Sequence, residues 1–206
     1  MNCTTPILLV HGYAQNQADW IWLKHKLKQK GIGPVYSLNL CPPFASMIQL
    51  AELVKNKVEE ISQETKHPNI ILIGHSMGGL ISSYYSEFLA SPGEVSAIIT
   101  LGTPFQGTKL AALGFGQNVT EMIPNSQFLR ELTKKIKVSS IQYHYIASKV
   151  DNLIVPWESA IPSYADGSDG SKENTFIVEN RGHLSLLISS RVINQIIQWL
   201  KEIKIK

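Results

Sequence analysis

At 206 residues, with 44% hydrophobic and 17% charged side chains, the chain has the composition of one ordinary globular domain and not of a disordered segment. A net charge of +3 is too small to argue for a nucleic-acid partner, and the basic stretches Lys24–Lys30 and Lys134–Lys137 read as solvated faces. The two cysteines, Cys3 and Cys41, offer neither a disulfide framework nor a metal-ligand spacing, and no apolar run is long enough to span a bilayer.

Short apolar runs alternate with amphipathic stretches, the pattern of a parallel sheet between helices. Ile7–Val10 is the first expected strand. It starts so close to Met1 that no signal peptide fits, so the expectation is a cytoplasmic protein, or a secreted one whose leader has been removed. Asp19–Lys30 reads as a helix and Val35–Leu38 as the second strand. Met47, Leu50, Ala51, Val54, Val58 and Ile61 then recur at helical spacing. The unbroken apolar run Ile70–Ile73 suits a strand covered on both faces, and a helix is expected from Ser76 through Leu80, Tyr84 and Phe88. Val95–Thr100 is the fourth strand.

From Gly102 to Ser140 the periodicity is patchy, and loops around a helix at Ser126–Lys135 are expected. A loop-rich insertion of this kind is more often functional than idle. Ile141–Ala147 and Thr175–Val178 complete the strands, and Leu184, Leu187, Ile188, Val192, Ile196 and Leu200 mark a last helix.

The sharpest chemical signal is Gly74-His75-Ser76-Met77-Gly78, a G-x-S-x-G nucleophile elbow. Three fixed positions match by chance about 0.07 times in a chain of this length, so context must decide. Here a strand precedes the serine and an apolar-periodic helix follows it, as the tight turn requires.

A serine hydroxyl needs a base. Of the six histidines, His75 lies inside the elbow and reads as structural, His25 and His67 as solvent-facing, and His144, mid-strand, as buried and satisfied. His183 differs, because it follows the last strand in a short loop where open α/β sheets form their ligand sites. The base in turn needs a carboxylate to hold its tautomer. Asp19 comes too early for the order serine, acid, histidine, and Asp166 and Asp169 read as a solvated turn. Asp151, just past the fifth strand, is the candidate, with Glu158 a distant second. The charge that develops on a carbonyl oxygen would be met by the backbone amides of Met77 and Tyr13, with His11 bracing the Tyr13 loop.

Val10-His11-Gly12-Tyr13, Gly74-His75-Ser76-Met77-Gly78-Gly79, Thr100-Leu101-Gly102-Thr103-Pro104, Gln106-Gly107-Thr108, Asp151 and Gly182-His183 together resemble the small bacterial lipases and esterases of the α/β-hydrolase superfamily. The resemblance runs from about Ile7 to the C-terminus. It implies a minimal α/β-hydrolase fold of about six mostly parallel strands with helices on both faces, in one domain spanning residues 1–206. It also implies a triad of Ser76, Asp151 and His183, an oxyanion hole from the Tyr13 and Met77 amides, and hydrolysis of acylglycerols or simpler esters without a cofactor; no cluster of His and Asp in the sequence suggests a metal. Phe105 departs from the pattern, since relatives often carry a polar residue or histidine after Thr-Pro. A thioesterase or acyltransferase would use the same triad, and two further rivals are a deacylase of large lipid or polymer esters and a silent binding module.

The acyl chain is expected against the Gly102–Ser140 segment, with Phe105, Leu110, Leu113, Phe115 and Met122 as candidates. The expected partner is a small-molecule or lipid ester, with no nucleic acid and at most peripheral contact with a lipid surface; the chain is expected to be a monomer.

Overall fold

The structure, a computed structural model, describes residues 4–165 and 174–203. Cys3, Asp166 and Asp169 lie outside the described residues. Among the described residues six strands form one sheet: β1 (Ile7–Val10), β2 (Val35–Leu38), β3 (Ile70–His75), β4 (Val95–Leu101), β5 (Gln142–Ser148) and β6 (Thr175–Val178). The helices are α1 (Ile21–Gln29), α2 (Met47–Thr65), α3 (Met77–Tyr84), α4 (Gln117–Glu121), α5 (Gln127–Lys137) and α6 (Ser190–Glu202).

Every strand pairing is parallel, in the order β2-β1-β3-β4-β5-β6. The expectation of a mostly parallel sheet is met by one that is parallel throughout. Parallel sheets must be covered on both faces, and the alternation along the strands sorts two cores. Leu8, Val10, Leu72, Ile98 and Tyr145 pack with α2, α3 and α5, whereas Ile7, Leu9, Ile71, Ile73 and Ile99 pack with α1 and α6.

The strand order reverses at β1. The chain leaves β1 for β2 on one side and returns through α2 to β3 on the other. The loops after β1 and β3 therefore diverge and leave a crevice at the carboxyl ends of these two neighbours, the place where open α/β sheets bind ligands.

Local signals place the helix ends. Ser46 and Gln49 form a capping box at the start of α2, Ser126 accepts from the Leu129 amide at the start of α5, and Lys134, Lys135 and Lys137 sit in the last turn of α5 against its dipole. The C-terminal periodicity is interrupted. A 3₁₀ turn at Leu184–Leu187 ends at Ile188, and Ser189 caps a new helix, so Leu184 and Ile188 are exposed instead of joining the core. Likewise α3 passes into a π-helical turn at Tyr85–Leu89, and Ser82 and Ser83 before the junction and Ser86 after it bond back to carbonyls four residues earlier.

Candidate active site

Ser76 stands where β3 turns into α3, with φ 55° and ψ −129°, a conformation that non-glycine residues seldom adopt. It is half-buried between fully buried neighbours, so its hydroxyl is the part of the turn that faces outward. The surrounding glycines are there because neighbouring atoms leave no room. A Cβ on Gly78 would strike the carbonyls of Val10 and His11, one on Gly74 the backbone of Gly79, and one on Gly79 the hydroxyl of Thr103. α3 starts at Met77, not at Ser76, which is its N-cap.

His183 lies five residues beyond the end of β6 and Asp151 three beyond the end of β5, and the parallel pairing of these strands brings the two together. His183 Nδ1 is 2.8 Å from Asp151 Oδ2, and both side chains are buried. The second oxygen, Oδ1, accepts from the amides of Leu153 (2.9 Å) and Ile154 (2.8 Å), which locks the carboxylate plane. A carboxylate accepts, so His183 carries its proton on Nδ1 and leaves Nε2 bare. His183 and Ser76 line the same pocket. Asn152 Oδ1 accepts from the His183 amide (3.4 Å), and Ser148 Oγ donates to the carbonyl of Arg181, tying down the histidine loop. Glu158 is exposed on a 3₁₀ turn and takes no part.

On the β1 side, Gly12 packs against the elbow so closely that a Cβ there would come 2.8 Å from Ser76 Cβ. The amides of Tyr13 and Met77 donate to no other group among the described residues, and Met77 heads a helix whose first amides have no intrahelical partner. His11 braces this loop as expected. Its Nε2 accepts from the Leu40 amide (3.0 Å), so Nδ1 bears the proton and donates to the Gly12 carbonyl (2.9 Å).

Two residues have a part here that the sequence reading did not assign them. Gln15 Oε1 accepts from the Gly12 amide (2.6 Å) and lies 2.9 Å from His75 Nδ1. Gly102, at φ +55°, lies under the acid–base pair, where a Cβ would meet Asp151 Oδ2 and His183 Nδ1 at 3.1 Å. For Gly102 the available hint was its place in the Thr100–Pro104 motif; for Gln15 there was none.

The remaining histidines divide. His75 is structural: its Nε2 faces the His183 carbonyl (3.2 Å), and burial lowers its pKa well below the ordinary value, so the ring is neutral. His25 is exposed, but His67 is half-buried and folded back on Asn69. The expectation that His144 is satisfied fails. It is buried and stacked on Trp199 (4.6 Å between centroids), yet neither ring nitrogen has a partner among the described residues.

The pocket is lined by Tyr13, Ser76, Leu110, Val119, Met122 and Ile154, among others. Among the acyl-chain candidates, Leu110 and Met122 are in that lining, while Leu113 and Phe115 point to solvent, 79% and 80% exposed. Phe105 is core, edge-on to Tyr145 at 5.5 Å, which explains an apolar residue at that position. Among the described residues no group of acidic, histidine or cysteine side chains is placed to hold a metal ion, and no helix is long and apolar enough to cross a membrane.

An all-parallel sheet with a strained serine turn after β3 is the α/β-hydrolase fold. The chain belongs to the PGAP1-like alpha/beta domain family, whose pattern matches residues 45–201. A triacylglycerol lipase of Pseudarthrobacter phenanthrenivorans is 33% identical over 131 residues, covering 58% of this chain and 38% of that protein. Mature lipase BlEst2 of Bacillus licheniformis shares the fold at TM-score 0.74 and 18% identity, over 96% of this chain and 92% of that one. So does a monoacylglycerol lipase of Paleococcus ferrophilus, at TM-score 0.71 and 16% identity over 98% and 97%. The chain spans 34% to 45% of the length of the curated relatives it matches.

Proposed function

We propose that this chain is a serine carboxylic-ester hydrolase of the lipase and esterase type, with Ser76 as nucleophile, His183 as general base and Asp151 as its orienting carboxylate. The observation that carries the reading is the Asp151–His183 pair, with Nε2 left bare, opening together with the half-buried Ser76 onto one apolar pocket. Relatives named as triacylglycerol lipases support the ester substrate.

In this reading His183 Nε2 takes the Ser76 proton as Oγ attacks the ester carbonyl. The oxyanion of the tetrahedral intermediate is met by the Tyr13 and Met77 amides, preorganised because neither is engaged elsewhere among the described residues. His183 then returns the proton to the leaving alcohol, giving an acyl-Ser76. Water, deprotonated by the same nitrogen, attacks the acyl carbonyl, and collapse releases the acid and restores the serine. Asp151 stays ionised throughout and stabilises the imidazolium. The chain works as one unit, with the 102–140 segment forming a wall of the pocket, and the exposed Leu110, Leu153 and Leu184 at its rim suit an acylglycerol or another ester with apolar substituents.

A fluorophosphonate probe tests the reading. It should label the wild-type protein and not Ser76→Ala, and ester hydrolysis should be lost with the label. An unlabelled wild type, or a folded Ser76→Ala that keeps its esterase rate, overturns it. Acyl-thioesters run in the same panel separate a thioesterase from a carboxylesterase.

A further inference from the structure

The inner end of the pocket says which acyl chains the site takes, an inference that rests on the ester-hydrolase reading above. The pocket has a volume of about 140 Å³. Its far wall is Ala111, Val119, Met122 and Ile154, all buried and all members of the packed core clusters. Backbone bonds hold that wall in place: the Thr108 amide donates to the Met122 carbonyl (3.0 Å), and the Met122 amide to the Val119 carbonyl (3.0 Å). Asn118, beside Val119, is fully buried and donates to the Pro43 carbonyl (2.7 Å).

We infer that the enzyme is a short-chain esterase, selecting acyl groups of about six carbons or fewer, with Met122 and Ala111 setting the depth. A closed apolar space of about 150 Å³ holds a molecule the size of benzene, about six carbons. Up to that length each added methylene is buried against apolar walls and should raise kcat/KM about fourfold. A longer chain meets packed core instead of space. It must then either push that core apart, as overpacking does, or turn back through the mouth past Leu110, Leu153 and Leu184, where its end lies in water. Neither route adds transition-state binding.

The test is kcat/KM on nitrophenyl esters from acetate to dodecanoate, each below its micelle-forming concentration, for the wild type and two variants. The wild type should peak at butanoate or hexanoate and fall about tenfold or more by decanoate. Met122→Ala, which opens the far wall, should move the peak to longer chains. Ala111→Val, which fills the same wall, should move it toward acetate. The second variant keeps the test decisive if the first fails to fold. A wild-type optimum at decanoate or beyond overturns the proposal, as does an optimum that neither folded variant moves. Hydrolysis that Ser76→Ala abolishes but that peaks at long chains leaves the ester-hydrolase reading standing and removes only this one. No hydrolysis of any ester removes both.

Discussion

Gly12 donates its amide hydrogen to Gln15 Oε1 at 2.6 Å, and the same oxygen lies 2.9 Å from His75 Nδ1. One side-chain oxygen thus ties the loop that presents the Tyr13 amide to the turn that presents Ser76. Gln15→Leu removes the acceptor and leaves a half-buried amide unpaired, a loss of about 1–3 kcal/mol. If the loop drifts, the oxyanion contact weakens only in the transition state. The expected outcome is therefore a fall in kcat of about tenfold or more with KM little changed, and a partial return of kcat in Gln15→Glu, which keeps an acceptor oxygen. A Gln15→Leu protein with normal kcat would show that the loop holds its shape without this bond.

Asp151→Asn should be the most costly conservative change outside Ser76 and His183. The amide keeps the size of the carboxylate but loses the charge that favours imidazolium, and it favours the wrong tautomer of His183. In a serine protease the equivalent change costs about 10⁴ in kcat, and a loss of that order is expected here. Glu158→Gln, on an exposed turn away from the pair, should change kcat less than twofold or so. Steady-state rates on one good ester decide between them.

Gly78→Ala tests the elbow as architecture. A methyl there runs into the carbonyls of Val10 and His11, which are backbone and cannot rotate away. Overpacking of this kind costs about 1–3 kcal/mol and more when backbone must move. The urea midpoint should fall accordingly, and activity should drop in the fraction that remains folded. An unchanged midpoint would mean that β1 and α3 separate more easily than their contact implies.

His144 predicts an acid-side loss of stability. Burial lowers its pKa to about 4, whereas the unfolded chain binds the proton at about 6.5. As pH falls from 6.5 to 4 the unfolded state therefore takes up a proton that the folded state refuses, and the equilibrium shifts toward unfolding. The contribution is present above pH 6.5 and lost by about pH 4, with a ceiling of about 3 kcal/mol. His75, shifted in the same direction, adds to it. Urea melts at pH 7 and pH 4.5 should show the difference, and His144→Phe, which keeps the stack on Trp199, should shrink it.

Interfacial activation should be weak. A lid must leave the site, and the segment that walls the pocket is held at several points. The Lys109 amide donates to the Val155 carbonyl (3.0 Å), the Gln117 amide to the Phe44 carbonyl (3.1 Å), and Tyr13 Oη to the Phe115 carbonyl (3.0 Å). α4 is too short to be stable once detached. Rates on tributyrin should follow a smooth hyperbola through its solubility limit, and a many-fold break there would show that the segment does open.

What could be read without coordinates was whatever is local along the chain. Apolar runs located the six strands seen among the described residues, and the G-x-S-x-G pattern between a strand and a helix located Ser76. Chain order and position after a strand pointed to Asp151 and His183, since parallel strands deliver their following loops to one edge of the sheet. The tertiary structure decided the rest. Periodicity counts apolar positions but cannot see a capping serine, so Ser189 split the last helix where the pattern ran straight on. A buried histidine looks alike in sequence whether or not its nitrogens find partners, and at His144 they find none among the described residues. Gln15 matters only because β1 and β3 are neighbours, and Gly102 only because β4 passes beneath a pair drawn from β5 and β6. The candidates for the acyl wall were the least legible. Leu113 and Phe115 face water while Met122, from the same segment, faces the pocket, and a short irregular stretch has no period that could have told them apart.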